Sequence, residues 1–143
     1  MSESKSNALS DPVCRAGVDI GSTTVKLVIL DGDGKLLFGS YQRHHARTRE
    51  ALTELLQEAQ RRLGDIRLSV CFTGSGALGL SQSLGLPFLQ EVVAVAEAIE
   101  AQAPQTDVAI ELGGEDAKII YFRGGLAERM NGVCAGGTGS FID

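Results

Sequence analysis

A segment of 14 residues occurs twice in this chain in similar form. Residues 17–30, GVDIGSTTVKLVIL, align with residues 109–122, AIELGGEDAKIIYF, at an offset of 92 residues. An acid, a glycine and a lysine coincide in the two copies: Asp19 with Glu111, Gly21 with Gly113, and Lys26 with Lys118. Chance similarity between two β-hairpins competes with duplication over so short a window. Because the acid and the glycine fall at the same point of the turn, we favour an internal duplication.

The residues from the first copy to the second predict a mixed α/β domain. Stretches rich in Val, Ile and Leu flank residues 21–23, and the sequence DGDG at 31–34 predicts a hairpin turn, because Asp-Gly pairs accept positive φ. Apolar residues recur at helical spacing before Gly64, and Thr48 is the expected N-cap of that helix. The expected order is βββαβαβα, with strands at 18–20, 24–30, 35–43, 66–73 and 88–90 and helices at 48–63, 77–84 and 92–102. An antiparallel hairpin pair extended by parallel βα units is an α/β architecture.

The expected domain limits follow from the point where this pattern restarts. Residues 1–13 are expected to form a flexible tail, residues 14–104 the first domain, and residues 105–143 the start of a duplicated second domain. In the second block, residues 127–133 predict a third strand, and a helix is predicted to begin at Cys134. The sequence ends at Asp143, which cuts this helix near its start. Such a cut is not a natural domain end, so we expect a truncated chain.

Composition and charge exclude several classes of protein. Of the 143 residues, 43% are hydrophobic and 22% are charged, as in a globular domain. A net charge of −5 without a Lys/Arg cluster argues against nucleic acid as a partner. No apolar run approaches the ~20 residues of a membrane-spanning helix, and the polar start predicts no signal peptide. The three cysteines are widely spaced, so we expect no disulfide framework and a cytoplasmic protein.

The first of the two turns has the residue types of a phosphate site. Glycine and hydroxyl residues in a tight turn expose backbone N–H groups and hydroxyls that can bind phosphate oxygens. Asp19, at the end of a buried strand, can orient Mg²⁺ through water. The alternative is an ordinary hairpin in which Asp19 and Ser22 make local turn hydrogen bonds. The candidate residues are Asp19, Gly21, Ser22, Thr23, Thr24 and Lys26.

The second copy favours the nucleotide interpretation. It offers an acid, two glycines and further carboxylates in the equivalent turn: Glu111, Gly113, Gly114, Glu115 and Asp116. Two such hairpins facing each other would hold a polyphosphate and its metal between them. The alternative is that Glu115 and Asp116 only solvate a turn. The sequence has no GxxxxGK[ST] P-loop, and no GxGxxG follows the first strand.

The most unusual stretch is CAGGTGS, which begins at Cys134. A cysteine at the start of a helix faces the positive end of the helix dipole, which stabilises a thiolate or an anionic cluster. A buried small residue is the alternative. One cysteine cannot hold an iron–sulfur cluster, so a cluster would need ligands from outside this chain.

Other polar motifs have simpler explanations. The sequence TGSG at 73–76 is expected to form a tight βα turn, and an anion site or a partner contact is the alternative. Glu91 is expected to interact favourably with the dipole of the helix that it begins, and a role as catalytic base is the alternative. His44 and His45 are adjacent and therefore on opposite faces of a strand, which argues against a shared metal site.

Three motifs together resemble one protein family. They are DIGST at 19–23, IELGGEDAK at 110–118 and NGVCAGGTGSFID at 131–143. They resemble the activators of 2-hydroxyacyl-CoA dehydratases, a family that includes the ATPase subunits of benzoyl-CoA reductase. The stretches YQRH and IELGGEDAKIIYF are most similar to the N-terminal module of the long activase-like proteins. The resemblance runs from about residue 15 to the end, and the cysteine motif is its specific part.

The resemblance implies an actin/sugar-kinase-like (ribonuclease H-like) fold with ATP and Mg²⁺ in the cleft between two duplicated domains. Residues 19–24 would be the first phosphate loop and residues 111–116 the second, with Asp19 and Glu111 as the acids of the ATPase site. Cys134 would be one of two cysteines that each subunit of a homodimer gives to a shared 4Fe–4S cluster. ATP hydrolysis would send one low-potential electron to a 2-hydroxyacyl-CoA dehydratase or a similar reductase partner in anaerobic metabolism.

This sequence departs from the family pattern in two ways. Glu111 stands where the smaller activators typically have Asp, and the second cluster cysteine and the adenosine loop are not within the 143 residues. We therefore expect the chain to be inactive as an ATPase by itself. One alternative function is a sugar-kinase-like phosphotransferase, which would need an Asp base near the cleft, and none is well placed. Another is a nucleotide-binding module without activity of its own.

Overall fold

The structure is a computed structural model that describes residues 13–114 and 117–122, together with the backbone of residues 127–130. Two β-sheets and three helices make up this part of the chain. In chain order the elements are β1 Val13–Ile20, β2 Thr24–Leu30, β3 Leu36–Arg43, α1 Thr48–Leu63, β4 Arg67–Thr73, α2 Leu78–Leu84, α3 Glu91–Gln102, β5 Val108–Leu112, β6 Ala117–Tyr121 and β7 Ala127–Met130. The predicted tail up to residue 12 and the predicted helix at Cys134 lie outside the described residues.

The first sheet has the strand order β3-β2-β1-β4. β1 pairs antiparallel with β2 and parallel with β4, which confirms the predicted hairpin and its parallel extension. Every second residue of β1 and β2 is buried, because alternate side chains of a strand point to one face. Leu52, Leu55 and Ala59 of α1 cover that face and complete the core. This packing fixes the position of the β1–β2 hairpin, whose turn contains the candidate residues.

The second sheet repeats the hairpin of the first. β5, β6 and β7 form an antiparallel sheet in that order. Asp19 pairs with Lys26 across β1 and β2, and Glu111 pairs with Lys118 across β5 and β6. The acid and the lysine therefore occupy the same register position in both hairpins, as the offset of 92 residues predicts.

Three local predictions were wrong. The first strand begins at Val13, five residues before the predicted start at residue 18. No strand forms at residues 88–90: Phe88 makes only an isolated parallel bridge to Phe72, because Gln90 is already the N-cap of α3. Thr48 does not cap α1 either. The N-cap is Arg47, without a side-chain hydrogen bond, and Thr48 is the first helical residue. Gly64 ends the helix as predicted, with φ 74° and its N–H donated to the Gln60 carbonyl.

Candidate functional site

The turn between β1 and β2 is held at its base by one exposed ion pair. Lys26 Nζ lies 2.7 Å from Asp19 Oδ2, with side-chain exposures of 53% and 29%. Such a pair contributes about 0–1 kcal/mol, since water competes for both charges. A cation or a phosphate can therefore take either partner at little cost.

The tip of this turn offers backbone donors. The Gly21 N–H donates to the Thr24 carbonyl over 2.9 Å, which closes the turn. Within the described part of the chain, the N–H groups of Ser22 and Thr23 have no hydrogen-bond acceptor. Successive free N–H groups in a turn form a concave anion site. The turn can therefore accept phosphate oxygens.

The loop between β4 and α2 packs directly on this turn. Gly76 donates its N–H to the Ile20 carbonyl over 2.9 Å. Gly74 has φ +98°, and a Cβ atom there would lie 2.3 Å from the Ile20 carbonyl oxygen and 2.5 Å from Asp19 Oδ1. Only glycine fits this position, since both the backbone angle and the space exclude a side chain. The TGSG sequence forms the expected tight turn, and this turn packs against one side of the Asp19 carboxylate.

The hydroxyl group of Thr73, at the end of β4, is buried next to this turn. Thr73 is the register partner of Asp19 across β1 and β4. Its Oγ1 is buried and has no hydrogen-bond partner among the residues that the structure describes. A buried hydroxyl without a partner costs about 1–3 kcal/mol, which water or a ligand at this site would recover.

The second hairpin brings its own turn against the first. A Cβ atom on Gly114 would lie 2.4 Å from Thr23 Oγ1 and 2.9 Å from Thr23 Cγ2. The two candidate turns are thus in direct contact, and Gly113 and Gly114 are half-buried there. Asp116, which was predicted with them, lies outside the described residues.

The lysine of the second hairpin has a different environment from that of the first. Lys118 is 6% exposed, and its Nζ is hydrogen-bonded to Glu91 Oε2. The same Nζ lies 4.0 Å from Glu111 Oε2. Glu91 Oε1 also accepts the Ser75 N–H over 3.2 Å. Glu91 therefore joins the β4–α2 loop to the second hairpin, a role beyond the helix-dipole effect that the sequence indicates.

His44 lies behind the first turn. Its backbone N–H donates to the Thr23 carbonyl over 3.0 Å, and its ring Nε2 lies 3.1 Å from the Gly21 carbonyl oxygen. This contact was not predicted: His44 was expected on a strand, whereas β3 ends at Arg43 and His44 begins the following turn. The hairpin register contains the signal, because Arg43 pairs with Thr24 and the residue after it therefore falls beside Thr23.

The comparisons with known proteins decide the family. The sequence profile of the BadF/BadG/BcrA/BcrD ATPase family matches residues 16–143. The chain belongs to this family. This BadF/BadG/BcrA/BcrD-type chain is 30% identical to the (R)-2-hydroxyglutaryl-CoA dehydratase activating ATPase of Acidaminococcus fermentans, with 89% of the chain and 50% of that protein covered.

Solved structures confirm the predicted actin/sugar-kinase-like fold. Component A of the (R)-2-hydroxyglutaryl-CoA dehydratase of A. fermentans is similar with a TM-score of 0.73 and 25% identity, over 92% of this chain and 52% of that one. The activator of the 2-hydroxyisocaproyl-CoA dehydratase from Clostridium difficile, with bound ADPNP, gives a TM-score of 0.72 and 29% identity, over 92% and 50%. The BadF/BadG/BcrA/BcrD-type chain thus spans about half the length of the relatives that it matches.

The described residues assemble no metal centre by themselves. No group of three His, Cys, Asp or Glu side chains that could hold a metal ion occurs among them, and Cys134 lies outside the described ranges. Cys14 is buried in the core and Cys71 is half-buried in β4. None of the helices in the described ranges is long and apolar enough to cross a membrane.

Proposed function

We propose that this chain provides the phosphate-binding half of an ATP-dependent activator of a 2-hydroxyacyl-CoA dehydratase. The observation that carries the proposal is the contact of the two glycine-containing turns at Thr23 and Gly114, with Asp19 at the base of the first. Membership of an ATPase family and the similarity to dehydratase activators support it. The domain limits at residues 14–104 and 105–143 belong to the same proposal.

The first turn would bind the nucleotide phosphates through the free N–H groups of Ser22 and Thr23. Gly21 and Thr24 close that turn. Lys26 would move from Asp19 to a phosphate oxygen, since its side chain is half exposed. Gly113 and Gly114 would let the second turn approach the same phosphates. Asp116, two residues further along the sequence, is proposed as a further residue of this site.

Two acids are suited to Mg²⁺. Carboxylate oxygens are the ligands that Mg²⁺ prefers, and it is commonly held by one or two carboxylates, substrate phosphates and water. Asp19 fits this requirement because its side chain is 29% exposed beside the phosphate-binding turn. Glu111 is the equivalent acid of the second hairpin, 4.0 Å from the Lys118 ammonium. Bound Mg²⁺ would neutralise charge on the phosphates during hydrolysis.

Cys134 is proposed as a ligand of a 4Fe–4S cluster shared across a homodimer. Cys14 is buried in the core and Cys71 is half-buried in β4, so neither is proposed as a ligand. Cys134 alone is too few for such a cluster, which would need a further cysteine from each subunit. The cluster would supply one low-potential electron to the dehydratase or reductase partner. A cytoplasmic location is part of the same proposal, because thiolates stay reduced there.

The experiment that tests the nucleotide site is a calorimetric titration of the protein with ADPNP and Mg²⁺. We expect saturable but weak binding of one nucleotide per chain, because the chain supplies the phosphate contacts without the adenosine loop. No binding would contradict the proposal. The cluster is tested separately, in the full-length protein purified without oxygen. A brown protein that hydrolyses ATP is expected, with the colour lost in Cys134→Ser. A colourless and fully active wild type would contradict the cluster.

A further inference from the structure

His44 connects β3 to the back of the first turn through its backbone and its ring. The backbone N–H donates to the Thr23 carbonyl over 3.0 Å, and Nε2 lies 3.1 Å from the Gly21 carbonyl oxygen. The other ring nitrogen, Nδ1, accepts the Ala46 N–H over 3.1 Å. The side chain is half-buried, so these hydrogen bonds are partly shielded from water.

These contacts define the tautomer of the ring. Since Nδ1 accepts a hydrogen bond, the proton of the neutral imidazole is on Nε2. Nε2–H therefore donates to the Gly21 carbonyl oxygen.

The backbone after His44 adopts an unusual turn to make this possible. His45 and Ala46 have φ 46° and 64°, and Arg47 donates its N–H to the His44 carbonyl over 2.7 Å. Two successive non-glycine residues with positive φ are unfavourable, and such conformations persist where the surrounding contacts require them. Here the turn places the Ala46 N–H on Nδ1, which fixes the orientation of the ring.

We propose that His44 is a positioning residue for the first turn, acting through the Gly21–Ser22 peptide group. This inference rests on the proposed nucleotide site. In a trans peptide the carbonyl and the following N–H point in opposite directions. With the Gly21 carbonyl held by the ring, the Ser22 N–H points away from His44 and stays free for a phosphate oxygen. His44 touches no ligand in this arrangement.

A pair of substitutions separates the two ring contacts. His44→Gln keeps an N–H donor near the position of Nε2 and loses the acceptor at Nδ1. His44→Asn keeps an acceptor near Nδ1 and loses the donor to Gly21. His45→Asn is the matched control, because His45 is exposed and Asn tolerates its positive φ.

The measurement is the affinity of each variant for ADPNP with Mg²⁺, by calorimetry, alongside hydrogen exchange of the Gly21 amide. One lost hydrogen bond corresponds to an affinity loss of about three- to tenfold for H44N. H44Q and H45N are expected within about twofold of the wild type. H44N should also speed exchange of the Gly21 amide, which a role limited to the 44–47 turn would not do.

Each outcome decides a separate point. Wild-type affinity in H44N, or equal losses in H44N and H44Q, would overturn the role of the ring donor. If the wild type binds no nucleotide, the proposed function fails, and amide exchange in H44N alone decides whether His44 orders the turn. If H44N does not fold, the ¹⁵N shifts of the wild-type ring decide: a proton on Nδ1 would overturn the inference.

Discussion

Gly114 lies so close to Thr23 that a Cβ atom on it would stand 2.4 Å from the Thr23 hydroxyl oxygen. Residues of the two similar hairpins thus meet at their turns, although 91 positions separate them in the sequence. The absence of a side chain at one position makes room for the branched side chain at the other. This contact sets the spacing between the two candidate phosphate turns.

Substitution Gly114→Ala is therefore expected to destabilise the protein by about 1–3 kcal/mol, because the stiff Thr23 side chain must move. Thr23→Ala removes the two nearest atoms, so the double variant should recover part of the loss. Chemical denaturation of the two single variants and the double variant measures the coupling. Strictly additive costs would show that the contact is absent in solution.

Gly74→Ala is expected to cost more, about 3 kcal/mol or above, because it combines positive φ with a collision against backbone. A Cβ atom there would stand 2.3 Å from the Ile20 carbonyl oxygen. Gly64→Ala is the control for backbone strain alone, with φ +74°, ψ −160° and open space around the position. It should cost about 1–3 kcal/mol, because that backbone region is essentially restricted to glycine. Unfolding in urea distinguishes the two, and equal costs would contradict the packing of the β4–α2 loop on Asp19.

Glu91→Gln is expected to destabilise the protein by about 1–3 kcal/mol, since it removes a carboxylate from a buried ammonium. Lys118 and Glu91 have side-chain exposures of 7% and 26%. In the K118M background the same substitution should cost much less, and thermal unfolding of the four proteins gives the coupling energy. Lys26→Met serves as the comparison: its ion pair is exposed, so the loss should stay below about 1 kcal/mol. An uncoupled Glu91 and Lys118 would contradict the linkage between α3 and β6.

Asp19→Asn is expected to weaken the binding of ADPNP at least about tenfold with Mg²⁺ present and far less in EDTA, if Asp19 orients the metal. Asp33→Asn is the control, since Asp33 is an exposed carboxylate in the β2–β3 turn. Calorimetry in the two buffers measures the difference. The same loss with and without Mg²⁺ would assign Asp19 to the structure of the turn.

The fold could be predicted because its signals are local. The apolar stretches at 18–20 and 24–30 predict the end of β1 and the whole of β2, the DGDG turn joins β2 to β3, and Gly64 ends α1. Residues 13–17 of β1 were not predicted as strand, because polar and small residues interrupt their apolar pattern. The capping prediction at Thr48 was wrong because a hydroxyl residue fits both the N-cap and the first turn, and only the path of the preceding chain selects between them. That path is the 44–47 turn, whose positive φ values fall on His45 and Ala46, residues that carry no such signal.

The contacts around the site depend on pairings that no local pattern contains. Glu91 and Lys118 are 27 residues apart, and their ion pair forms only once α3 and β6 are in place. The glycines at 74 and 114 show in the sequence as turn residues. The atoms that each of them contacts follow from the packing of separate elements.

The two lysines of the repeated hairpin lie in different environments and are expected to vary differently among related sequences. Lys118 is buried beside Glu91 and Glu111, so loss of the ammonium or of the Glu91 carboxylate removes an ion pair that is partly shielded from water. Positions 91 and 118 should therefore change together among relatives of this chain. Lys26 and Asp19 form an ion pair in contact with solvent, so loss of that pair should cost little stability. Limited sequence variation at positions 19 and 26 across the family would therefore reflect ligand binding. Limited variation at positions 91 and 118 would reflect the stability of the fold.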